Sequence, residues 1–233
     1  MIDVAKKKRI VLKLGTSTLT HKTGKLNIRR MTNLVRILSD LHNAGKELLL
    51  VSSGAVGMGV GKLNLPERPK DTPSKQAAAA VGQCELMHIY DDMFSKYNVT
   101  VAQILLTRAT LTNERLPHVQ NTIGRLLEMG VIPIVNENDT VAIDELELEI
   151  GENDSLSATV AAAVGADLLI ILSDINGLYS ADPRTDANAQ VIREVRKIDA
   201  RIEQMAGGAG SALGSGGMAT KINAAKIATE AGV

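Results

Sequence analysis

The run Arg9-Ile10-Val11-Leu12-Lys13-Leu14, followed at once by Gly15-Thr16-Ser17-Thr18, decides how the chain folds. Its aliphatic, partly β-branched composition is that of a buried strand, and the small polar residues after it turn the chain out of the sheet. On a strand Val11 and Lys13 share one face. A lysine buried there is costly unless an anion meets it; the competing reading is an ammonium that snorkels to solvent at the strand end. The local pattern supports both equally.

Working outward, strands and helices alternate. Asn27 can cap a helix in which Ile28, Met31, Leu34, Val35, Leu38 and Leu41 recur at helical spacing, with Gly45 as its stop. Glu47 to Val51 is a second strand, opening into Ser52-Ser53-Gly54-Ala55-Val56-Gly57-Met58-Gly59-Val60-Gly61. Glycines after a strand admit an anion close to backbone N–H groups, and Ser53-Gly54-Ala55 is the part assigned to binding. Gly57 and Gly61 are explained equally well by close packing of a helix on the sheet. The segment is not a P-loop, because Leu63 follows Lys62 where Ser or Thr is required.

Ser74 to Tyr97 reads as a long helix that covers the sheet or meets a partner subunit. Val99 to Leu106 is a strand, Asn113 to Met129 a helix closed by Gly130, and Val131 to Val135 a strand ending in Asn136-Glu137-Asn138-Asp139, four polar residues that can bind a polar ligand or merely form a turn. The alternation from Glu145 to Ile150 suggests a flap with one wet face. Gly151-Glu152-Asn153-Asp154-Ser155-Leu156-Ser157 then leads into an apolar helix, and Asp167 to Leu172 is a further strand. After it comes the polar loop Ser173-Asp174 through Arg184, a short strand at Val191 to Val195 and a helical turn at Ala200 to Met205. Gly207 to Gly217, rich in Gly, Ser and Ala and expected to be mobile, feeds an amphipathic helix from Met218 to Ala231.

This order predicts an α/β fold, a three-layer αβα sandwich around a mainly parallel sheet. Ligands in such folds sit at the carboxyl ends of the strands. Lys13 with Gly15, Ser53-Gly54-Ala55, Asn136 to Asp139 and Ser173-Asp174 all fall on that edge.

Composition narrows the function. The 233 residues suffice for one substantial core. The 26 acidic and 26 basic side chains balance, and with no Trp and one Phe there is little to stack on bases, so nucleic acid is not expected as a partner. Cys84 is alone, no secretory leader is evident, and no apolar run approaches the roughly 20 residues of a membrane span. A cytoplasmic location away from membranes is the expectation. The four histidines are scattered and form no ligand spacing, so no protein-borne metal site is expected.

Lys221 is informative because of its place. A cation in the first turn of the last helix opposes the helix dipole, at a cost of a few tenths to about 1 kcal/mol, and a bound polyphosphate reverses that sign. A solvated surface lysine is the bland alternative. Asp154 likewise has an ordinary reading as N-cap of its helix, a role Ser155 or Ser157 could also take.

Taken together, Lys13 to Ser17, Ser53 to Ala55, Asn136 to Asp139, Gly151 to Ala158, Ser173-Asp174 with Gly177-Leu178-Tyr179 and Ala181-Asp182-Pro183, and Gly214 to Lys221 resemble the amino acid kinase family, in its branch that phosphorylates free glutamate. The resemblance runs in order from near residue 9 to the end. It implies ATP-dependent transfer of a phosphoryl group to the γ-carboxylate of L-glutamate, the opening step of proline synthesis, with Mg²⁺ as companion ion. Carried over by position, Lys13, Gly15, Ser173, Asp174 and the segment Ser215, Gly216, Gly217, Met218, Ala219, Thr220 and Lys221 contact ATP. Ser53, Gly54, Ala55, Asp139 and Asn153 contact glutamate. Lys13 and Lys221 stabilise the phosphoryl group in flight and Asp154 organises them. The resemblance also implies a homodimer or homotetramer and proline as feedback inhibitor. Glu152 departs from the family's usual Asp. The family's kinase domain normally continues through further strands, so 1–233 is expected to be a kinase domain incomplete at its C-terminus and lacking the PUA domain that many bacterial members add.

Other readings stay in view. Kinases of the same family that act on N-acetylglutamate, aspartate or uridylate share the nucleotide end. A sensor that keeps the fold without catalysis needs no pair of lysines around a phosphate. A dinucleotide oxidoreductase is suggested by Gly214-Ser215-Gly216-Gly217-Met218-Ala219, but the segment does not follow a first strand.

Overall fold

Five parallel strands carry the architecture in a computed structural model that describes residues 3–21, 25–112, 114–141, 153–206 and 217–233. They are β1 (Arg9–Leu14), β2 (Glu47–Ser52), β3 (Thr100–Leu106), β4 (Val131–Glu137) and β5 (Leu168–Leu172), in the spatial order β3-β4-β2-β1-β5. Near-continuous apolar runs suit strands that are covered on both faces. In order along the chain the helices are α1 (Thr16–Leu19), α2 (Ile28–Asn43), α3 (Ala55–Lys62), α4 (Thr72–Ser95), α5 (Leu116–Glu128), α6 (Asn153–Ala163), α7 (Ala200–Ala206) and α8 (Met218–Glu230).

Period two along the strands sorts the core into two layers. Ile10, Leu12 and Leu14 of β1 pack with Met31, Val35 and Leu38 of α2 and with Leu86, Tyr90 and Phe94 of α4. Val11, on the other face, packs with Ile123 and Leu127 of α5 and with Leu156 and Val160 of α6. Each such side chain contributes about 1.5–3 kcal/mol by leaving water. α8 does not reach the sheet centre but seats Ala224 and Ala228 on Ala158 of α6. Small residues there let the two helices approach closely. The three-layer sandwich is thus as expected, and α4 covers the sheet.

Register fixes where the loops meet. Leu14 lies opposite both Ser52 and Leu172, and Val51 opposite Val135, so Gly15, Ser53, Asn136 and Ser173 emerge side by side at the carboxyl edge. The strand order reverses about β1, with β2 on one side and β5 on the other, which leaves a crevice at its end.

Several boundaries differ from the sequence reading. α4 begins at Thr72, because the Asp71 carboxylate accepts from Ser74 N at 2.9 Å and Pro73 suits a first turn. β4 runs on to Glu137, paired with Leu106, so Asn136 belongs to the strand and not to a turn. The strand expected at Val191 to Val195 reduces to one antiparallel bridge, Tyr179 with Val191, beside which Ile192 N donates to the Leu178 carbonyl at 2.8 Å. The glycines after Ser53 form α3, and the close approach expected of Gly61 on the sheet is not made. Instead Gly59 faces α4 and Gly82 of α4 faces α3: a Cβ on Gly59 would fall inside the Ala78 carbonyl oxygen, and one on Gly82 inside that of Ala55. Both contacts are helix on helix, whereas a Cβ on Gly61 would meet nothing. The flap expected over Glu145 to Ile150, Gly151 and Glu152 of the central loop, and residues 207–216 of the stretch expected to be mobile, Ser215 and Gly216 among them, lie outside the described residues.

Candidate active site

Period two points Lys13 to the same side as Val11, toward α6, and there it meets Asp154. The Lys13 ammonium lies 2.7 Å from Asp154 Oδ1, with its side chain only 11% exposed. Lys221 reaches the other oxygen of the same carboxylate at 3.1 Å, its side chain 17% exposed. Thr220 Oγ1 donates to that oxygen too, at 3.0 Å. Three elements that are distant in sequence therefore converge on one fully buried carboxylate.

Local structure explains why Asp154 is free to do this. α6 opens at Asn153, so Asp154 sits in the first turn and is not the residue before the helix; its carboxylate faces the lysines and not the helix amides. Burial works against the charged carboxylate, but the Lys13 and Lys221 ammoniums outweigh it and hold Asp154 below the ordinary carboxylate range. Gly217 precedes α8 in extended conformation, which makes Lys221 the fourth residue of that helix. Its charge is placed against the dipole and is partly offset by Asp154. Two ammoniums, each with three donors, can hold this carboxylate and still face a second anion.

Beside this triad lies a neutral polar cradle. Asn153 Nδ2 donates to Ser53 Oγ at 2.6 Å, to the Ser52 carbonyl at 2.8 Å and to Asn136 Oδ1 at 3.1 Å. Gly54, in the left-handed region at φ 110°, turns the chain from β2 into α3, and Ala55 is the first, buried residue of that helix. Ser52, just before the turn, shares a hydrogen bond of 2.9 Å with Tyr90 of α4. Burial pushes the Tyr90 phenol up, and the Ser52 bond offsets this only in part. Asp139 follows β4 in a half-buried turn at the same edge.

Of the remaining expected residues, Gly15 follows β1 and its carbonyl accepts from Thr18 N at 3.0 Å. Ser173 follows β5, where its hydroxyl donates to Asp174 Oδ1 at 3.2 Å, and Asp174 is exposed. Gly217, Met218 and Ala219 form the start of α8. The fold thus brings Lys13, Asp154, Thr220 and Lys221 together, and separately Ser53 with Asn153. Two residues that the sequence did not single out, Gln83 and Tyr90, enter the cradle from α4. Their signal was present: Ala79, Gln83, Leu86, Tyr90 and Phe94 fall on one helical stripe, and a glutamine in an otherwise apolar stripe requires a buried partner. Among the described residues no group of three or more His, Cys, Asp or Glu could hold a metal ion, and no helix is long and apolar enough to cross a membrane.

Comparison with known proteins adds independent evidence. A glutamate 5-kinase from Clostridium perfringens is 56% identical over 229 residues, covering 97% of this chain and 85% of that protein. One from Carboxydothermus hydrogenoformans is 54% identical over 97% of this chain, and one from Moorella thermoacetica 54% over all of it; the chain spans 61% of the length of each. Among solved structures, the UMP kinase of Ureaplasma parvum superposes with a TM-score of 0.56 at 15% identity over 79% of this chain and 74% of that one, a likeness of fold alone. The model of the amino acid kinase family matches residues 8–233, and with the parallel sheet and these relatives it establishes that the chain belongs to the amino acid kinase family.

Proposed function

We propose that the chain transfers the γ-phosphoryl group of ATP to the γ-carboxylate of L-glutamate, giving L-glutamyl 5-phosphate for proline synthesis. The observation that carries the reading is the pair of ammoniums, Lys13 and Lys221, held on one buried carboxylate next to the Ser53–Asn153 cradle. Relatives named glutamate 5-kinase at more than half identity support the same acceptor.

The chemistry needs little else. A γ-carboxylate with a reference pKa of about 4.3 is ionised at neutral pH and requires no general base. Its oxygen attacks the γ-phosphorus, the bond to the ADP oxygen breaks, and the electron pair leaves with ADP. The work of the protein is to align two anions and to balance the charge between them. Lys13 and Lys221 do the second; Asp154 keeps both pointed at the crevice and cancels part of their mutual repulsion.

In this reading Gly15, Ser173, Asp174 and residues 215–221 receive the nucleotide. Ser53, Gly54, Ala55, Asp139 and Asn153 receive glutamate. The Asn153 NH₂ is spent on the protein, so its carbonyl oxygen is the group that can accept from the substrate ammonium. Mg²⁺ arrives with the ATP phosphates, which suits an ion that keeps several waters. Proline as inhibitor, a homodimer or homotetramer and a cytoplasmic location accompany the reading through the family resemblance.

The test is ADP release with ATP and Mg²⁺ in the presence of hydroxylamine, with glutamate, N-acetylglutamate, aspartate and UMP compared as acceptors. Hydroxamate formed with glutamate and not with the others supports the reading; turnover with another acceptor and not with glutamate overturns it.

A further inference from the structure

We propose that Gln83, on α4, is a positioning residue for the amino-acid acceptor: through Asn136 it anchors the Asn153 amide whose oxygen is turned to the substrate. This rests on the reading of the site as one that binds glutamate.

The case begins with an atom that can only accept. The Ser52 carbonyl oxygen lies 2.8 Å from the Asn153 amide, so Asn153 must present its NH₂ there and not its oxygen. The same NH₂ faces Asn136, which must answer with Oδ1, at 3.1 Å. Asn136 is then left with its own NH₂ pointing the other way, and Gln83 Oε1 accepts from it at 2.9 Å. Behind Gln83, its Nε2 faces Gln103 Oε1 of β3 at 3.4 Å. The series is polarised throughout by one backbone carbonyl, and reversing any amide sets two donors or two acceptors against each other.

Burial makes this direction count. Asn136 is 2% and Gln83 7% exposed, so water is a poor substitute for either partner. Without an acceptor at position 83, the Asn136 NH₂ is buried with no partner, and the side chain shifts to satisfy it, which loosens the Oδ1 that anchors Asn153. Asn153 is the only member of the series next to the Ser53 hydroxyl and the Lys13–Asp154–Lys221 group. Gln83 acts through it and does not touch the reacting atoms.

Steady-state kinetics on Gln83→Leu, Gln83→Met and Gln83→Glu, with glutamate and ATP varied in turn and folding checked by circular dichroism, tests this. The Leu and Met variants should raise the glutamate KM by about tenfold or more, the consequence of an unsatisfied buried donor, while the ATP KM stays within about twofold. Gln83→Glu keeps an acceptor toward Asn136, and Gln103 can turn its NH₂ to meet it, so this variant should recover most of the glutamate KM. Of the two apolar variants, Met keeps the length of Gln and serves if Leu does not fold. An unchanged glutamate KM in a folded apolar variant overturns the proposal, as does a Glu variant no better than Met. A wild-type chain that turns over another acceptor but not glutamate overturns the functional reading itself, and the two failures are told apart by the wild-type assay.

Discussion

Lys221 Nζ of α8 lies 3.1 Å from Oδ2 of Asp154 in α6, and this contact ties the last helix to the first turn of the helix it packs on. The other oxygen of the carboxylate is held by Lys13, from β1 at the sheet centre. One side chain therefore sets the distance between two cations contributed by opposite ends of the chain.

Replacing Asp154 by Asn should harm both stability and turnover. It leaves the buried Lys13 ammonium and the half-buried Lys221 ammonium facing a neutral amide, and breaking such a pair on one side costs about 3–5 kcal/mol. Denaturant unfolding should show a loss of that order, with a fall in kcat of at least about a hundredfold in whatever remains folded. A variant as stable as the parent contradicts the role given to this carboxylate.

Lys221→Ala separates binding from catalysis. Its ammonium is needed most when charge spreads over the transferring phosphoryl oxygens, so kcat should drop by about 10²-fold or more while the glutamate KM moves by less than about threefold. An unaltered kcat would remove Lys221 from the mechanism.

The Asp154 carboxyl also predicts a pH dependence. Its folded pKa is depressed, so the stability it contributes is fully present above the unfolded value of about 3.9 and is lost as pH falls through the folded value. The stability difference between the parent and Asp154→Asn should therefore be constant from neutrality to about pH 5, shrink below about pH 4, and vanish only below the depressed folded value, where both carry an uncharged group. A difference that persists unchanged at pH 2 assigns the acid limb to other carboxylates.

The crossing of α3 and α4 gives a steric test. Gly82→Ala drives a methyl into the Ala55 carbonyl, at a cost of roughly 1–3 kcal/mol, and displaces the turn that carries Ser53. Thermal unfolding should register the loss and the glutamate KM should rise. Gly124→Ala, in α5, meets nothing and should instead stabilise by about 0.5–1 kcal/mol.

What the sequence made legible follows from how local each signal is. β1 was read to the residue because an aliphatic run bounded by Arg9 and Gly15 has no competing period, and Lys13 was conspicuous as a charge within it. The solvated reading of Lys221 and the cap reading of Asp154 could be set aside only by tertiary contact, which no local pattern contains. Gly61 was misread for the same reason: Gly59 and Gly61 look alike in sequence, and Ala78, which decides between them, lies on another helix. Asn136 was placed beyond the strand because polar side chains at the end of a strand resemble a loop, whereas here the Gln83 bond lets one be buried within it.

Oxygen transfer tests the central claim most directly. Glutamate labelled with ¹⁸O in its γ-carboxylate is turned over with unlabelled ATP, Mg²⁺ and hydroxylamine, and the released phosphate is analysed by mass spectrometry. If the carboxylate attacks phosphorus between Lys13 and Lys221, hydroxylamine then cleaves the acyl carbon–oxygen bond, and each phosphate leaves carrying a single ¹⁸O. Unlabelled phosphate would show that water, and not glutamate, takes the phosphoryl group, and would contradict the account.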